Sequence, residues 1–372
     1  MKPVDSRPYA PLHRLGALAA LLGALGSAVA QTAPPPAAPW QLQLRTDRHS
    51  DFLTLKQLDD EAIEHLHARS GRNLAYIDDE VRMSHARGPW TWSLLARSTA
   101  TLVVNRDAIE LVRHATTDPS ESDRQWQVDA RLRGFTGGGL EVRRSMVLGE
   151  RWQASVSAQA LTIARWRDRS IQGQVQFDAQ ADRYEVDVRS TETYDGLEFP
   201  FQQDFASRGA GLLFGAELVW QAQPFTVALS ARDAGWLRWN GIPKQEMVLS
   251  TSTEGRDADG FVIYRPLIQG QNSQTRRTER WPVRWALKGR WQATPHGALG
   301  VSVDTLPGFG LLPGVSWRQN FGALETGLGW RFHERRAVAS LAWKGLQLQF
   351  GADRLGSDAS SRMVGLSYGA AL

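Results

Sequence analysis

The chain has 372 residues, no cysteine and a formal net charge of +4. The missing cysteines exclude disulfide staples and thiolate metal sites, and so small a charge over this length speaks against binding nucleic acid by bulk electrostatics. No run of residues past position 30 is long and apolar enough for a transmembrane helix, so a soluble fold and a β-barrel remain.

In chain order, Lys2, Arg7, His13 and Arg14 precede an apolar run over residues 15–30 that ends Ala28-Val29-Ala30. A basic region, an apolar core and an A-x-A site make up a cleavable export signal, with the cut expected after Ala30. The run is shorter than the roughly 20 apolar residues of a spanning helix. No cysteine follows the cut, which excludes a lipoprotein anchor. Residues 31–39, rich in Pro and Ala, read as an extended linker. Residues 40–372 are expected to form one domain.

Two early segments carry a helical period. Residues 51–68 place Leu55, Leu58, Ala62 and Leu66 on one side. Residues 105–117 open on Asn105 as a cap and gather Ala108, Leu111, Val112 and Ala115. Two short helices are expected, either plugging a lumen or decorating the loops.

Elsewhere the period is two. Trp126, Val128, Ala130 and Leu132 alternate with Gln127, Asp129, Arg131 and Arg133. Residues 152–160, 209–221, 225–233, 283–293, 323–333 and 346–353 repeat the pattern, with Leu213 and Val219 as small breaks in 209–221. Alternation sends one set of side chains to each face of a strand. The segments run to about ten residues, as a tilted bilayer-crossing strand requires, whereas globular strands average about five or six. The chain also holds 15 tryptophans. Trp126, Trp152, Trp220, Trp285, Trp291, Trp330 and Trp343 sit on apolar faces near segment ends and are candidates for the interfacial girdles of a membrane barrel.

The last residues, VGLSYGAAL, alternate as Val364, Leu366, Tyr368, Ala370 and Leu372. This strand resembles the C-terminal signature of Gram-negative outer-membrane β-barrel proteins, with Leu372 where the family usually has an aromatic residue. The resemblance implies an all-β, antiparallel transmembrane barrel in the outer membrane. It also implies recognition of Leu366, Tyr368 and Leu372 by the barrel-assembly machinery. Up to 18 segments look strand-like. The weakest are 40–47 and the pair 171–178 and 183–192, which reads as a hairpin above the membrane. About 14 to 18 strands are expected, centred on 16. With the last strand ending in the periplasm, the short turns fall inside and the long segment 254–280 falls outside.

The chemistry offered by the sequence is sparse. His49-Ser50-Asp51 is the most suggestive trio, but neighbouring residues point apart and make a poor triad. His65 and His67 diverge on a helix and cannot chelate together. Asp59-Asp60 and Asp78-Asp79 read as turn or helix-end charge, and the GRDADG stretch from Gly255 lacks the later Glu of a calcium loop. No catalytic group, metal or cofactor is therefore expected. The candidate lumen-lining residues are Arg131, Arg133, Arg143, Glu217, Arg232, Arg284, Lys288, Arg290, Arg318, Glu325 and Arg331. They fit a salt-bridge network in a blocked interior or a field that favours anions along a wet path. The expected function is a channel or transporter for a small solute or amphiphile with a slight anion preference. The alternative is a scaffold, assembly or secretion partner, and an enzyme is a distant third. Membrane lipid is the expected partner and nucleic acid is not.

Overall fold

The computed structural model describes residues 39–59, 66–116, 122–251, 254–256, 262–264 and 267–370. The export signal and nearly all of the linker lie outside the described residues. The first half of the chain contains β1 (Trp40–Ser50), α1 (Leu55–Asp59), β2 (Arg72–Arg87), β3 (Trp90–Asn105), α2 (Arg106–Thr116), β4 (Arg124–Val147), β5 (Trp152–Asp178), β6 (Arg183–Tyr194) and β7 (Gly209–Ala222). The second half contains β8 (Phe225–Ser250), β9 (Glu254–Arg256), β10 (Val262–Tyr264), β11 (Ile268–Trp281), β12 (Arg284–Gln292), β13 (Gly297–Leu306), β14 (Gly310–Phe321), β15 (Leu324–Arg331), β16 (Arg336–Trp343), β17 (Leu346–Ala352) and β18 (Ser361–Ala370).

All strands but the small β9–β10 ladder join one antiparallel sheet, and β18 pairs with β1 from Trp40↔Ala370 to His49↔Ser361. That pairing closes the wall and removes both sheet edges. Two wall positions are each filled by two pieces. β6 and β7 run end to end between β5 and β8, with residues 195–208 inserted between them. β11 and β12 likewise follow one another along β8, separated by Pro282-Val283. The closed barrel therefore has 14 strand positions, at the low end of the sequence expectation. A count of alternating segments overshoots because an interrupted strand reads as two. Proline explains one interruption, since it has no N–H for the ladder. Segment 40–47, weak in sequence, belongs to the strand that closes the barrel. Segments 171–178 and 183–192 are the upper ends of β5 and β6, which pair from Arg167↔Tyr194 to Asp178↔Arg183.

Short turns gather at the end holding Trp40 and Ala370. One of the two-residue turns is Lys344-Gly345, with φ of 44° and 84°. Both are left-handed, as a two-residue hairpin with the right strand twist requires. We call this the inner end. The long connections gather at the other, outer end.

The wall is uneven in height. β4, β5 and β8 have 24, 27 and 26 residues, against 7 to 12 for β12 to β18. The tall strands carry an outer extension. Its outward apolar face, including Val104, Trp126, Val128, Val175 and Phe177, is covered by α2 and by Phe52 and Leu66 of the β1–β2 connection. α2 starts where Asn105 accepts the N–H of Ala108 at 3.2 Å, a side-chain cap on an otherwise unpaired donor. It buries Ala108 and Ile109 against the outside of the wall. The helix neither plugs the lumen nor hangs free.

Candidate functional site: a charged chamber inside the barrel

Each strand presents one face outward and one inward, and the two differ sharply. Outward, Leu218, Leu229 and Leu287 sit side by side on β7, β8 and β12, as do Leu341 and Leu348 on β16 and β17. These side chains are exposed, as are Leu140, Val156, Val301, Leu328 and Phe350. A continuous apolar belt of this extent is untenable in water and is what hydrocarbon requires. Trp40, Trp90, Trp152, Trp291 and Trp343 are exposed near the inner end of the belt, and Trp236, Trp285 and Trp330 nearer its outer end. Trp220 is half-buried at the inner end. Trp126 is a correction to the expected girdle: it lies on the outward face but is only 3 % exposed, packed on His114 of α2 with ring centroids 4.9 Å apart. The alternation gave its face and not its height. At the closing strand, Tyr368 is exposed, Leu366 is buried between Leu44 and Leu348, and Leu372 lies outside the described residues. The chain has the architecture of a Gram-negative outer-membrane barrel.

Inside lies a chamber of about 680 Å³. At its inner mouth it is lined by Gln41, Gln43, Ser145, Ser155 and Ser157, and it extends outward to Asp47, Asp78 and Asp233. Of the expected lumen residues, Arg143, Glu217, Arg232, Arg284, Lys288, Arg290, Arg318 and Arg331 line it. Glu325 lies beside it, 3.7 Å from Arg318. Two positions are corrections. Arg131 is exposed high on β4, above the chamber. Arg133 joins a separate cluster, 3.3 Å from Asp168 and 2.6 Å from Glu279, with its guanidinium over the Trp281 ring. Both lie on the outer extension, where β4 has already passed the chamber.

The outward limit of the chamber is a layer of ion pairs. Arg97 grips Asp233 with two bonds of 2.6 and 3.1 Å, and both side chains are almost completely buried. A bulge in β8 opposite β7 gives Asp233 a φ of 68° and turns its carboxylate inward. Asp78 on β2 receives Arg232 at 3.2 Å and Arg284 at 3.4 Å. β3, β4, β5 and the β6–β7 position separate β2 from β8, so these pairs cross the lumen. Arg284 also donates to Thr99 at 2.5 Å. Further round, Arg336 donates to Asp47 at 2.7 Å, and the Tyr76 hydroxyl lies within hydrogen-bond range of both Asp47 and Glu334. Bidentate and charge-assisted bonds of this kind are the strong ones, and each of these carboxylates has an arginine within 4 Å. Asp78 is thus mid-strand in the lumen, a correction to its reading as turn charge.

Above this layer apolar side chains fill the interior, with the Arg133–Asp168–Glu279 cluster packed on them at Trp281. On the tall side, Leu161, Ile163, Trp166, Leu213, Leu237, Trp239, Ile242 and Trp281 pack together almost without exposure. On the opposite side, Leu74 and Tyr76 of β2 meet Leu306 of β13 and Leu312 of β14. β2 and β13 are half a circuit apart, so that contact spans the lumen. The chamber is closed outward by side chains.

A histidine cluster tops the closure. Asp51, just past β1, lies 2.9 Å from Nε2 of His49 and 3.1 Å from Nε2 of His333 in the β15–β16 turn. It also pairs with Arg69 at 2.5 Å and accepts the N–H of Leu74 at 2.7 Å. Burial opposes its ionisation, but the hydrogen bonds and charge of His333 and His49 outweigh that and hold its carboxyl well below the usual range. The Ser50 hydroxyl accepts the N–H groups of Phe52 and Leu53, so the sequence trio forms a capped turn. His333 is 282 residues from Asp51 in the chain, and nothing in the sequence joins them. Among the described residues, His67 is exposed, while His65 and most of the GRDADG stretch lie outside them.

No family model and no curated protein matches this chain. Among solved structures it is similar to the Pseudomonas putida toluene transporter TodX, at 8 % identity and a TM-score of 0.40, covering 90 % of this chain and 88 % of that one. It is similar to the Ralstonia pickettii toluene transporter TbuX, also at 8 % and 0.40, covering 96 % of each chain. A further likeness is the Escherichia coli outer-membrane protease OmpT, at 7 % and 0.26, covering 91 % of this chain and 99 % of that one.

Proposed function

We propose that this protein is a gated transport barrel of the outer membrane, which passes a small solute or amphiphile with a preference for anions. One observation carries the reading: a wet chamber occupies the inner half of the lumen and is shut outward by side chains. Side chains can part without unfolding an element, which makes a closure of this kind a gate. The chamber lining holds ten Arg or Lys against seven Asp or Glu, so its field favours negative solutes. With short turns on the periplasmic side, as in such barrels generally, the chamber opens to the periplasm. Barrel-assembly machinery is the partner proposed for the closing strand, with Tyr368 on its outward face.

The test is conductance of the purified barrel in planar bilayers, beside a Leu74→Ala/Leu306→Ala variant that thins the closure. The wild type should open rarely and the variant more often, with a reversal potential in a salt gradient that marks anion preference. Silence from both at several voltages would overturn the reading. It would favour a scaffold role, for which the closed lumen and the tall outer extension provide a surface.

A further inference from the structure

We propose that His49, Asp51 and His333 form a binding site for a divalent transition-metal cation of the zinc type, at the outer closure of the barrel. Their ligand atoms all lie within 4.8 Å of one another. Asp51 is 2.9 and 3.1 Å from the two imidazole nitrogens. In a tetrahedral site with bonds of about 2.0–2.1 Å, adjacent donor atoms are about 3.3 Å apart, so each imidazole already stands near ligand spacing from one carboxylate oxygen, His49 from Oδ1 and His333 from Oδ2. Two imidazoles and one carboxylate suit zinc and its neighbours and not calcium or magnesium, which take oxygen ligands. Three protein ligands also leave a fourth position for water.

The donors are held in place before any ion arrives. The Asp51 N–H donates to the Leu74 carbonyl at 2.8 Å while Leu74 returns its own N–H to the carboxylate, a two-bond clamp on the end of β1. The side chains of His49 and Asp51 are fully buried, and His333 is 19 % exposed, which gives the ion a way in. Nε2 of His49 meets Asp51, while its Nδ1 is buried with no hydrogen-bond partner, so ligation through Nε2 disturbs no bond on the other side of the ring.

One group stands in the way, and it sharpens the test. The Arg69 guanidinium lies 2.5 Å from Asp51 and also bonds the His333 carbonyl at 3.0 Å, so it holds the position a cation would neutralise. Its side chain is 31 % exposed and has solvent to move into. Ion and guanidinium compete for one carboxylate. The ligands belong to the end of β1 and the β15–β16 turn, with β16, β17 and β18 between them. His333 also packs on Phe309 of the β13–β14 turn, with ring centroids 4.7 Å apart. A bound ion would cross-link these segments and fasten the closure. That consequence rests on the gated-barrel reading, whereas the binding itself does not.

The experiment is titration of the chelator-stripped barrel, purified in detergent micelles, with Co²⁺ followed by visible absorption and with Zn²⁺ followed by calorimetry. The wild type should take up one equivalent and show the ligand-field bands of a nitrogen–oxygen site. Arg69→Gln should bind at least about tenfold more tightly. His333→Gln keeps a donor toward Asp51 but loses the imidazole, and should bind about 10- to 100-fold more weakly. Heat-modifiable gel migration checks that each variant is folded. No uptake by either the wild type or Arg69→Gln would overturn the site, as would uptake unchanged in folded His333→Gln. Conductance plays no part in this readout, so failure here leaves the transport reading standing, and failure there leaves the site standing.

Discussion

The tall wall, built on β4, β5 and β8, and the short wall, running from β12 to β18, have the same alternating sequence and use it in opposite ways. The short wall turns its apolar face to lipid, as at Leu328 and Trp330, and its polar face to a network of buried charge, as at Arg331, Glu334 and Arg336. The tall wall outgrows the bilayer. Above that level its outward apolar face has no lipid and is covered by α2, while its inward face turns apolar around Trp166, Trp239 and Trp281. Period two fixes which residues share a face. The surroundings of that face depend on height above the membrane, which the period does not encode.

The largest expected effect lies inside the short wall. Arg336 is fully buried, 2.7 Å from Asp47 and 3.9 Å from Glu334. Arg336→Ala leaves the buried Asp47 without its main counter-charge and takes one of two nearby arginines from Glu334, and should cost about 3–5 kcal/mol. Urea-driven unfolding in micelles, followed by tryptophan fluorescence, measures it. By contrast, Arg183→Ala on the tall wall breaks an exposed pair with Glu185 and should lie within about 0.5 kcal/mol. Equal costs would mean that the interior of the short wall is as wet as the surface of the extension.

On the outward face the two walls should rank the other way. Trp126→Ala empties a buried site beneath α2 and should cost about 3–5 kcal/mol. Trp330→Ala, on the short wall with 41 % of its surface exposed, exchanges protein packing for lipid contact and should cost less than half as much. The same unfolding assay decides, with α2 expected to become protease-sensitive in the first variant alone.

These contrasts mark what could be read from the sequence. Eight of the eleven expected lumen residues line the chamber because inward position follows directly from alternation. Arg131 and Arg133 share the inward parity of β4 but stand above the chamber, as Trp126 shares the outward parity but stands above the belt. One signal was present and weak. Leu213 breaks the pattern of β7, and it breaks it where the lumen turns from polar to apolar, since its side chain is buried inward beside Leu237. A leucine on the polar face marks that boundary. The strand number was blurred by Pro282 and by residues 195–208, which divide single wall positions in two. The His49–Asp51–His333 cluster was not legible at all. Closing the barrel brings the end of β1 to the β15–β16 turn, and no local pattern carries that contact.

A charge placed on each outward face tests the lipid belt more gently. Leu328→Arg puts a guanidinium at a site 71 % exposed within the belt and should cost about 2–4 kcal/mol if the residue lies near the midplane. Val112→Arg, on the exposed side of α2, should change stability by less than about 0.5 kcal/mol. Folding yield into lipid vesicles, scored by heat-modifiable migration, separates them. Similar yields for the two would place Leu328 in water and remove the belt on which the membrane assignment rests.

The smallest effect concerns how α2 is held to the tall wall. His114 is buried against Trp126 and Phe177, and its Nδ1 is 2.7 Å from the Tyr184 hydroxyl. Burial, with the charge of Arg124, holds its pKa below the ordinary histidine value. The undocked helix therefore takes up a proton more readily than the docked one. Between the lowered pKa and the ordinary value near 6.5, stability rises with pH and is lost on acidification. Hydrogen exchange over residues 106–116 should thus quicken as the pH falls through the ordinary histidine range, after correction for intrinsic rates. Exchange in the short-wall strands should not follow. His114→Phe keeps an aromatic ring in the site and removes the proton, so it should flatten the profile of α2 alone. A pH response that persists in that variant would assign the sensitivity to another group and leave the docking of α2 to apolar contact.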